Sequence, residues 1–176
     1  MEKIEIRPAV PSDAKSLVDI YSYYVLNTAI TYEYEVPSVE EFSLRIKNTL
    51  KKMPYIVAVV HGKIAGYAYA SFFNERKAYE HSAELSIYLD KDKRHNGLGT
   101  KLYSELEKTL LEKNFTNLYA CIAATSREND SYLTDGSIKF HSNRGFKIVG
   151  RFTSCAYKFN LWYDMVYMEK FIAPHK

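Results

Sequence analysis

The run Arg94-His95-Asn96-Gly97-Leu98-Gly99-Thr100 gathers residue types suited to holding an anion. Gly97 and Gly99 lack Cβ atoms, so the backbone there can turn sharply and approach a ligand closely. A helix opening at this point directs free N–H groups and a positive dipole end at the same place. Arg94 adds a charge-assisted hydrogen bond and Thr100 a hydroxyl at the helix start. The chemistry this suits is binding of a phosphate or pyrophosphate. The run lacks the first glycine and the Gly-Lys-Ser/Thr ending of a P-loop, and it lacks the third glycine of the dinucleotide fingerprint. A plain glycine turn with a helix cap would use the same letters, so the flanking elements decide between the two readings.

Upstream, Ser82 to Leu89 reads as a strand whose alternation puts Glu84, Ser86 and Tyr88 on one face and Leu85, Ile87 and Leu89 on the other. Downstream, Leu98, Leu102, Leu106 and Leu110 recur every fourth residue and define an amphipathic helix ending near Asn114. The loop therefore joins a strand to a helix N-terminus.

The rest of the chain supplies the frame. Ile4 to Arg7 is a strand; Pro11-Ser12-Asp13 opens a helix carrying Leu17, Ile20, Tyr21 and Tyr24. Thr31 to Glu35 is a loop. Ser38 followed by Glu41 resembles a capping box for a second helix with Phe42, Leu44 and Ile46 on its apolar side, closed off by Pro54. Tyr55 to Val60 and Ile64 to Phe73 form a hairpin about His61-Gly62-Lys63. Leu118 to Ala124 is a strand, Ser137 to Arg144 a helix stopped by Gly145, and Phe146 to Phe152 and Tyr163 to Met168 are two final strands. The order predicts an α/β (α+β) fold, a mixed and mainly antiparallel sheet of about seven strands flanked by about four helices.

At 176 residues, a single domain spanning 1–176 is the expectation. The small net charge of +3, with both signs interspersed, argues against a nucleic-acid-tracking face, and no apolar stretch is long enough to span a bilayer. Only Cys121 and Cys155 occur, without metal-ligand spacing, and residues 1–4 lack the apolar run of a signal peptide. The expectation is a cytoplasmic protein with no metal.

With strand, loop and helix in this order, the sequence resembles the GNAT superfamily of N-acetyltransferases, whose signature Arg/Gln-x-x-Gly-x-Gly/Ala is matched by Arg94 to Gly99. Ala78-Tyr79, Ser82 to Leu89 and His141-Ser142-Asn143-Arg144-Gly145-Phe146 are similar to its phosphinothricin-acetyltransferase-like branch, over a span from Ile4 to about Lys170. The resemblance implies a GNAT-type fold and acetyl-coenzyme A as co-substrate. It implies that the pyrophosphate sits on Arg94, His95, Asn96, Gly97, Leu98, Gly99 and Thr100, with pantetheine along the main chain of Ile87, Tyr88 and Leu89. It further implies Glu84 as the base for the substrate ammonium and His141 as proton donor to the departing thiolate.

One segment departs from the family. Between the Leu118 strand and the Ser137 helix, Thr125 to Ser137 is longer than usual, and either Asn129 or the pair Thr134 and Ser137 takes the place of the family's cofactor-binding Asn. Substrate contacts are implied for Tyr32, Glu33, Arg76, Tyr79 and Trp162. A small-molecule amine acceptor and a homodimer, through the aromatic segment around Tyr157 to Tyr163, complete the expectation. Acetylation of a protein amine or polyamine, and a non-catalytic acyl-coenzyme A-binding regulatory module, stand as alternatives. Replacing Gly97 or Gly99 by Val is expected to exclude the pyrophosphate while sparing the fold.

Overall fold

A computed structural model describes residues 4–93 and 97–175. In chain order the elements are β1 (Ile4–Pro8), α1 (Ala14–Asn27), α2 (Val39–Leu50), β2 (Tyr55–Val60), β3 (Lys63–Phe72), β4 (Ser82–Leu89), α3 (Leu98–Glu112), β5 (Asn117–Ala124), α4 (Gly136–Asn143), β6 (Lys147–Lys158) and β7 (Leu161–Phe171). The seven strands form one sheet in the order β1-β2-β3-β4-β5-β7-β6. Every neighbouring pair is antiparallel except β4 and β5, which are parallel.

Local chemistry explains the boundaries. The Ser38 hydroxyl accepts the Glu41 N–H at 3.1 Å and starts α2, with Glu40 and Glu41 in the first turn and Lys47 in the last, the sense that suits the helix dipole. His61 and Gly62, at φ 51° and 76°, close the β2–β3 hairpin in the left-handed region. At the end of α4, Gly145 at φ 87° lets the Phe146 N–H return to the His141 carbonyl at 3.0 Å.

The two faces of the sheet are covered by different helices. On one, Leu17, Tyr21, Tyr24, Phe42 and Ile46 of α1 and α2 pack over Tyr55, Val57 and Tyr67, with Tyr69 and Tyr88 at the margin. On the other, Leu98, Leu102, Tyr103, Leu106 and Leu110 of α3 pack over Ala58, Ala68, Ala70, Leu85 and Leu118. The alternation along β4 thus sorts its residues as expected, with Leu85 among the α3 contacts and Tyr88 among those of α1.

Two expectations need correction. Leu44 is 57% exposed, because Phe42 and Ile46 take the buried side of α2. The last two strands are far longer than Phe146–Phe152 and Tyr163–Met168: the aromatic run Cys155 to Tyr163 itself folds into the β6–β7 hairpin, turning at Phe159 and Asn160 with φ 52° and 60°.

Candidate active site

The parallel pair is where the sheet parts. β4 and β5 are in register at only three positions, Ser82 with Asn117, Ala83 with Leu118 and Glu84 with Tyr119. Beyond Glu84, β4 continues on β3 to Leu89 and β5 continues on β7 to Ala124, but the two no longer pair with each other. The facing edges leave a cleft lined by Leu85, Ser86, Ile87 and Tyr88 on one side and Ala120 to Ala123 on the other, with Tyr103, Ser137, His141, Ile30 and Leu133 around it. Backbone groups that would have laddered across are available to an extended ligand.

Glu84 stands at the fork. It is half-buried, and burial raises its carboxyl pKa, while a hydrogen bond from the Tyr167 hydroxyl pulls it back down. Tyr167 lies opposite Cys121 across β5 and β7, and burial together with the Glu84 charge pushes its phenol up to about 12. A half-buried carboxylate of raised pKa where two strands part is a proton acceptor suited to general-base work.

His141 is only 3% exposed. Its Nδ1 is 2.7 Å from the Ser137 carbonyl oxygen, which can only accept, so the proton is on Nδ1. Nε2 then accepts from the Tyr103 hydroxyl at 2.8 Å. Burial lowers the His141 pKa, the Ser137 bond opposing, so the neutral ring is favoured. His141 therefore offers no free N–H of its own to the cleft, and because Nε2 holds the one hydroxyl hydrogen of Tyr103, the phenol donates into the cleft only by turning away from His141.

The loop residues divide. Arg94, His95 and Asn96 lie outside the described residues. Gly97, at φ 72°, precedes the first turn of α3, and a Cβ there would meet nothing within 4 Å. Leu98 is buried in the α3 core and Thr100 is exposed in the first turn. Gly99 differs from expectation: a Cβ on it would come within 3.1 Å of the Phe140 ring and 3.5 Å of Ile87, so its missing side chain lets α3 approach α4 and β4. Leu89 differs too. Its N–H and carbonyl are both engaged by the Tyr24 hydroxyl, at 3.3 and 2.5 Å, leaving Ile87 and Tyr88 at the cleft. Ser137 lines the cleft, whereas Asn129 and Thr134 line an adjoining hollow with Arg127, Asp130 and Ile138.

On the acceptor side, Tyr32 donates its hydroxyl to the Asp164 carbonyl at 2.7 Å, and Glu33 is paired with Arg45 at 2.7 Å. Arg76 and Tyr79 are exposed on the loop before β4, Tyr79 with its ring 5.9 Å from Phe73, which stacks on Tyr119 at 4.2 Å. Trp162 is 57% exposed against Tyr157 on the β6–β7 hairpin to which the Tyr32 loop is tied, five residues along β7 from Tyr167, roughly 16 Å at ordinary strand rise. Tyr103 and Tyr167 escape a reading of the sequence, since each looks like an ordinary core or strand aromatic until its partner is placed.

Residues 6–167 match the model of the acetyltransferase (GNAT) domain. The chain belongs to the GNAT acetyltransferase family. It is an acetyl-coenzyme A-dependent N-acetyltransferase of the branch similar to the phosphinothricin enzymes. The phosphinothricin N-acetyltransferase of Streptomyces viridochromogenes is 27% identical, the match covering 95% of this chain and 87% of that one. The L-methionine sulfoximine/L-methionine sulfone acetyltransferase of Pseudomonas aeruginosa is 28% identical over 96% and 95%. Among solved structures, a GNAT superfamily phosphinothricin acetyltransferase from Sinorhizobium meliloti in complex with acetyl-coenzyme A superposes with a TM-score of 0.86 at 34% identity, covering 96% of this chain and 88% of that one. Among the described residues no cluster of metal-binding side chains occurs, and no helix is long and apolar enough to cross a membrane.

Proposed function

We propose that this GNAT enzyme, a single N-acetyltransferase domain, acetylates the primary amine of a small amino-acid analogue such as phosphinothricin or methionine sulfoximine. The observation carrying the proposal is the position of half-buried Glu84 at the fork of β4 and β5, with the Tyr103–His141 pair further along the same cleft. The names of the relatives support the acceptor class.

In this reading Ser86, Ile87 and Tyr88 hold the pantetheine arm by main-chain hydrogen bonds, and Gly97 and the first turn of α3 receive the pyrophosphate. Glu84 takes the proton of the acceptor ammonium, which is the prevailing form of an amine at neutral pH and has no free lone pair. The amine nitrogen then bonds to the acetyl carbon as the carbon–sulfur bond breaks. The proton on Glu84 passes to solvent. The sulfur, resembling a Cys thiol of pKa about 8.5, gains a proton. We assign that end to Tyr103 and His141: the hydroxyl turns from Nε2 of His141 to hydrogen-bond the sulfur as its charge grows, and the proton the thiolate then takes comes from solvent.

The decisive experiment is a thiol-release assay with acetyl-coenzyme A against amino acids, their analogues and polyamines. Turnover of methionine sulfoximine is expected, and silence across the panel despite cofactor binding would refute the proposal.

The reading includes a cytoplasmic homodimer. Ile148, Val149, Phe152, Tyr157, Trp162 and Phe171 leave large apolar surface exposed on β6 and β7, and β6 is a sheet edge. A dimer mass by light scattering is expected, and a monomer at working concentration would refute this part.

A further inference from the structure

Lys158, the last residue of β6, is only 2% exposed. Its ammonium donates to the Thr28 carbonyl at 2.9 Å and the Thr31 carbonyl at 2.7 Å, and sits 5.1 Å from the Phe159 ring centre. Among the described residues no carboxylate lies within ion-pair distance of it. Burying an ammonium is costly unless its hydrogens are bonded, and here the compensation comes from two main-chain oxygens of one loop. The arrangement spends that cost on the position of the loop between α1 and α2, which meets the α1–α2 core through Ile30.

That loop, residues 28–35, has no helix or strand of its own. Its place is set by ties to the β6–β7 tip and to the segment before α4. Besides the two bonds from Lys158, the Tyr32 hydroxyl reaches the Asp164 carbonyl, the Tyr34 hydroxyl reaches the Tyr157 carbonyl, and the Ala29 N–H reaches the Tyr132 carbonyl. Tyr132 in turn stacks on Phe159 at 4.2 Å. Thr31 passes the constraint on, since its hydroxyl pairs with Tyr21 at 2.6 Å and accepts the Glu33 N–H at 3.4 Å. Ile30 from this loop lines the cleft.

We infer that Lys158 is a positioning residue for the amine acceptor: its ammonium fixes residues 28–35, and with them Tyr32 and Glu33, as the acceptor-side wall. The inference rests on the acetyltransferase reading above. Lys158 touches neither acceptor nor coenzyme, and of residues 28–35 Ile30 alone is among the described lining of the cleft, so loss of the ammonium loosens acceptor binding far more than it disturbs the chemical step or the cofactor site.

The test is Lys158→Met, which keeps the apolar stem and removes the donors. With methionine sulfoximine, or the best acceptor of the panel, KM is expected to rise about tenfold or more with kcat nearly unchanged, the mark of lost uniform binding. The acetyl-coenzyme A Kd by calorimetry is expected to stay within about twofold of wild type, because the pyrophosphate and main-chain contacts lie elsewhere. An unchanged KM would overturn the inference. So would KM, kcat and Kd worsening together, which marks a merely structural anchor. If Lys158→Met does not fold, Tyr34→Phe replaces it: this removes a separate tie of the same loop, and a rise in KM alone is again expected, an unchanged KM again being fatal. A wild-type enzyme silent on every amine would bring down the acetyltransferase reading itself. An active wild type with unaltered variants would bring down only the role of Lys158.

Discussion

The Tyr103 hydroxyl lies 2.8 Å from Nε2 of His141, and both side chains face the cleft between β4 and β5. With Nδ1 donating to Ser137, this single contact fixes the tautomer of His141 and the direction of the phenol. Tyr103→Phe leaves a buried acceptor unpaired, which costs about 1–3 kcal/mol of stability. Its kcat is expected to fall more than its acetyl-coenzyme A affinity. Denaturant unfolding with steady-state kinetics checks both, and an unchanged kcat would remove Tyr103 from the mechanism.

The same burial makes a prediction about acid. The folded pKa of His141 is lowered from 6.5, so below that pH the unfolded chain binds more protons than the folded one. His141 therefore contributes stability that is present above pH 6.5 and lost as pH falls toward its folded pKa. Unfolding midpoints measured on either side of pH 6.5 should differ less in His141→Gln than in wild type. An equal difference would show that other groups carry the acid sensitivity.

Glu84 carries the opposite sign. Its raised carboxyl pKa places the acid limb of kcat/KM above the ordinary 4.5, with activity rising as the carboxylate ionises. Glu84→Gln is expected to lower kcat by about 100- to 10,000-fold, with little change in cofactor affinity. Tyr167→Phe removes the hydrogen bond that favours the charged form, so the limb should move to higher pH. A limb that moves down, or stays, would mean that Tyr167 does not bond the catalytic carboxylate.

How much of this was legible beforehand depends on the range of the interactions. The Leu98, Leu102, Leu106 and Leu110 stripe, the Ser38 cap and the stop at Gly145 are local, and their chemistry shows in the letters. The parting of β4 from β5 depends on partners 35 residues apart and leaves no mark on either strand. Cys155 to Tyr163 carries too little alternation to read as two strands, and only pairing such as Tyr157 with Trp162 reveals them. Glu84 and His141 were visible as candidates, yet the state of each is set by Tyr167 and Tyr103, which come from other elements.

The two loop glycines should respond differently to the same change. Gly97→Val forces a β-branched residue to φ 72°, a strain of about 1–3 kcal/mol in open space. Gly99→Val instead drives methyl groups at Phe140 and Ile87, so α3 has to move away from α4. Both are expected to weaken acetyl-coenzyme A binding, but Gly99→Val should also depress the unfolding midpoint more, in place of the spared fold that the sequence suggests. Unchanged affinity in folded Gly97→Val would remove the loop from the cofactor site.

The acceptor itself is open to a direct comparison. Arg76, on the exposed loop that leads into β4, makes no side-chain hydrogen bond or ion pair within the described structure, so its guanidinium is available to a substrate carboxylate. A polyamine requires acidic partners for its further ammonium groups. Of the four acidic residues of the acceptor loops, Glu33 is already paired with Arg45, which also holds Glu41, while Glu35, Glu75 and Glu80 are exposed and none of the three lines the cleft. Breaking the Glu33 pair to admit a second ammonium would strand Arg45 with one carboxylate fewer. Methionine sulfoximine, with one α-amine for Glu84 and one carboxylate for Arg76, makes no such demand. Its kcat/KM is therefore expected to exceed that of spermidine, and Arg76→Ala should raise its KM while leaving that of a simple alkylamine unchanged. A higher kcat/KM for spermidine would sink the amino-acid reading and leave the acetyltransferase standing.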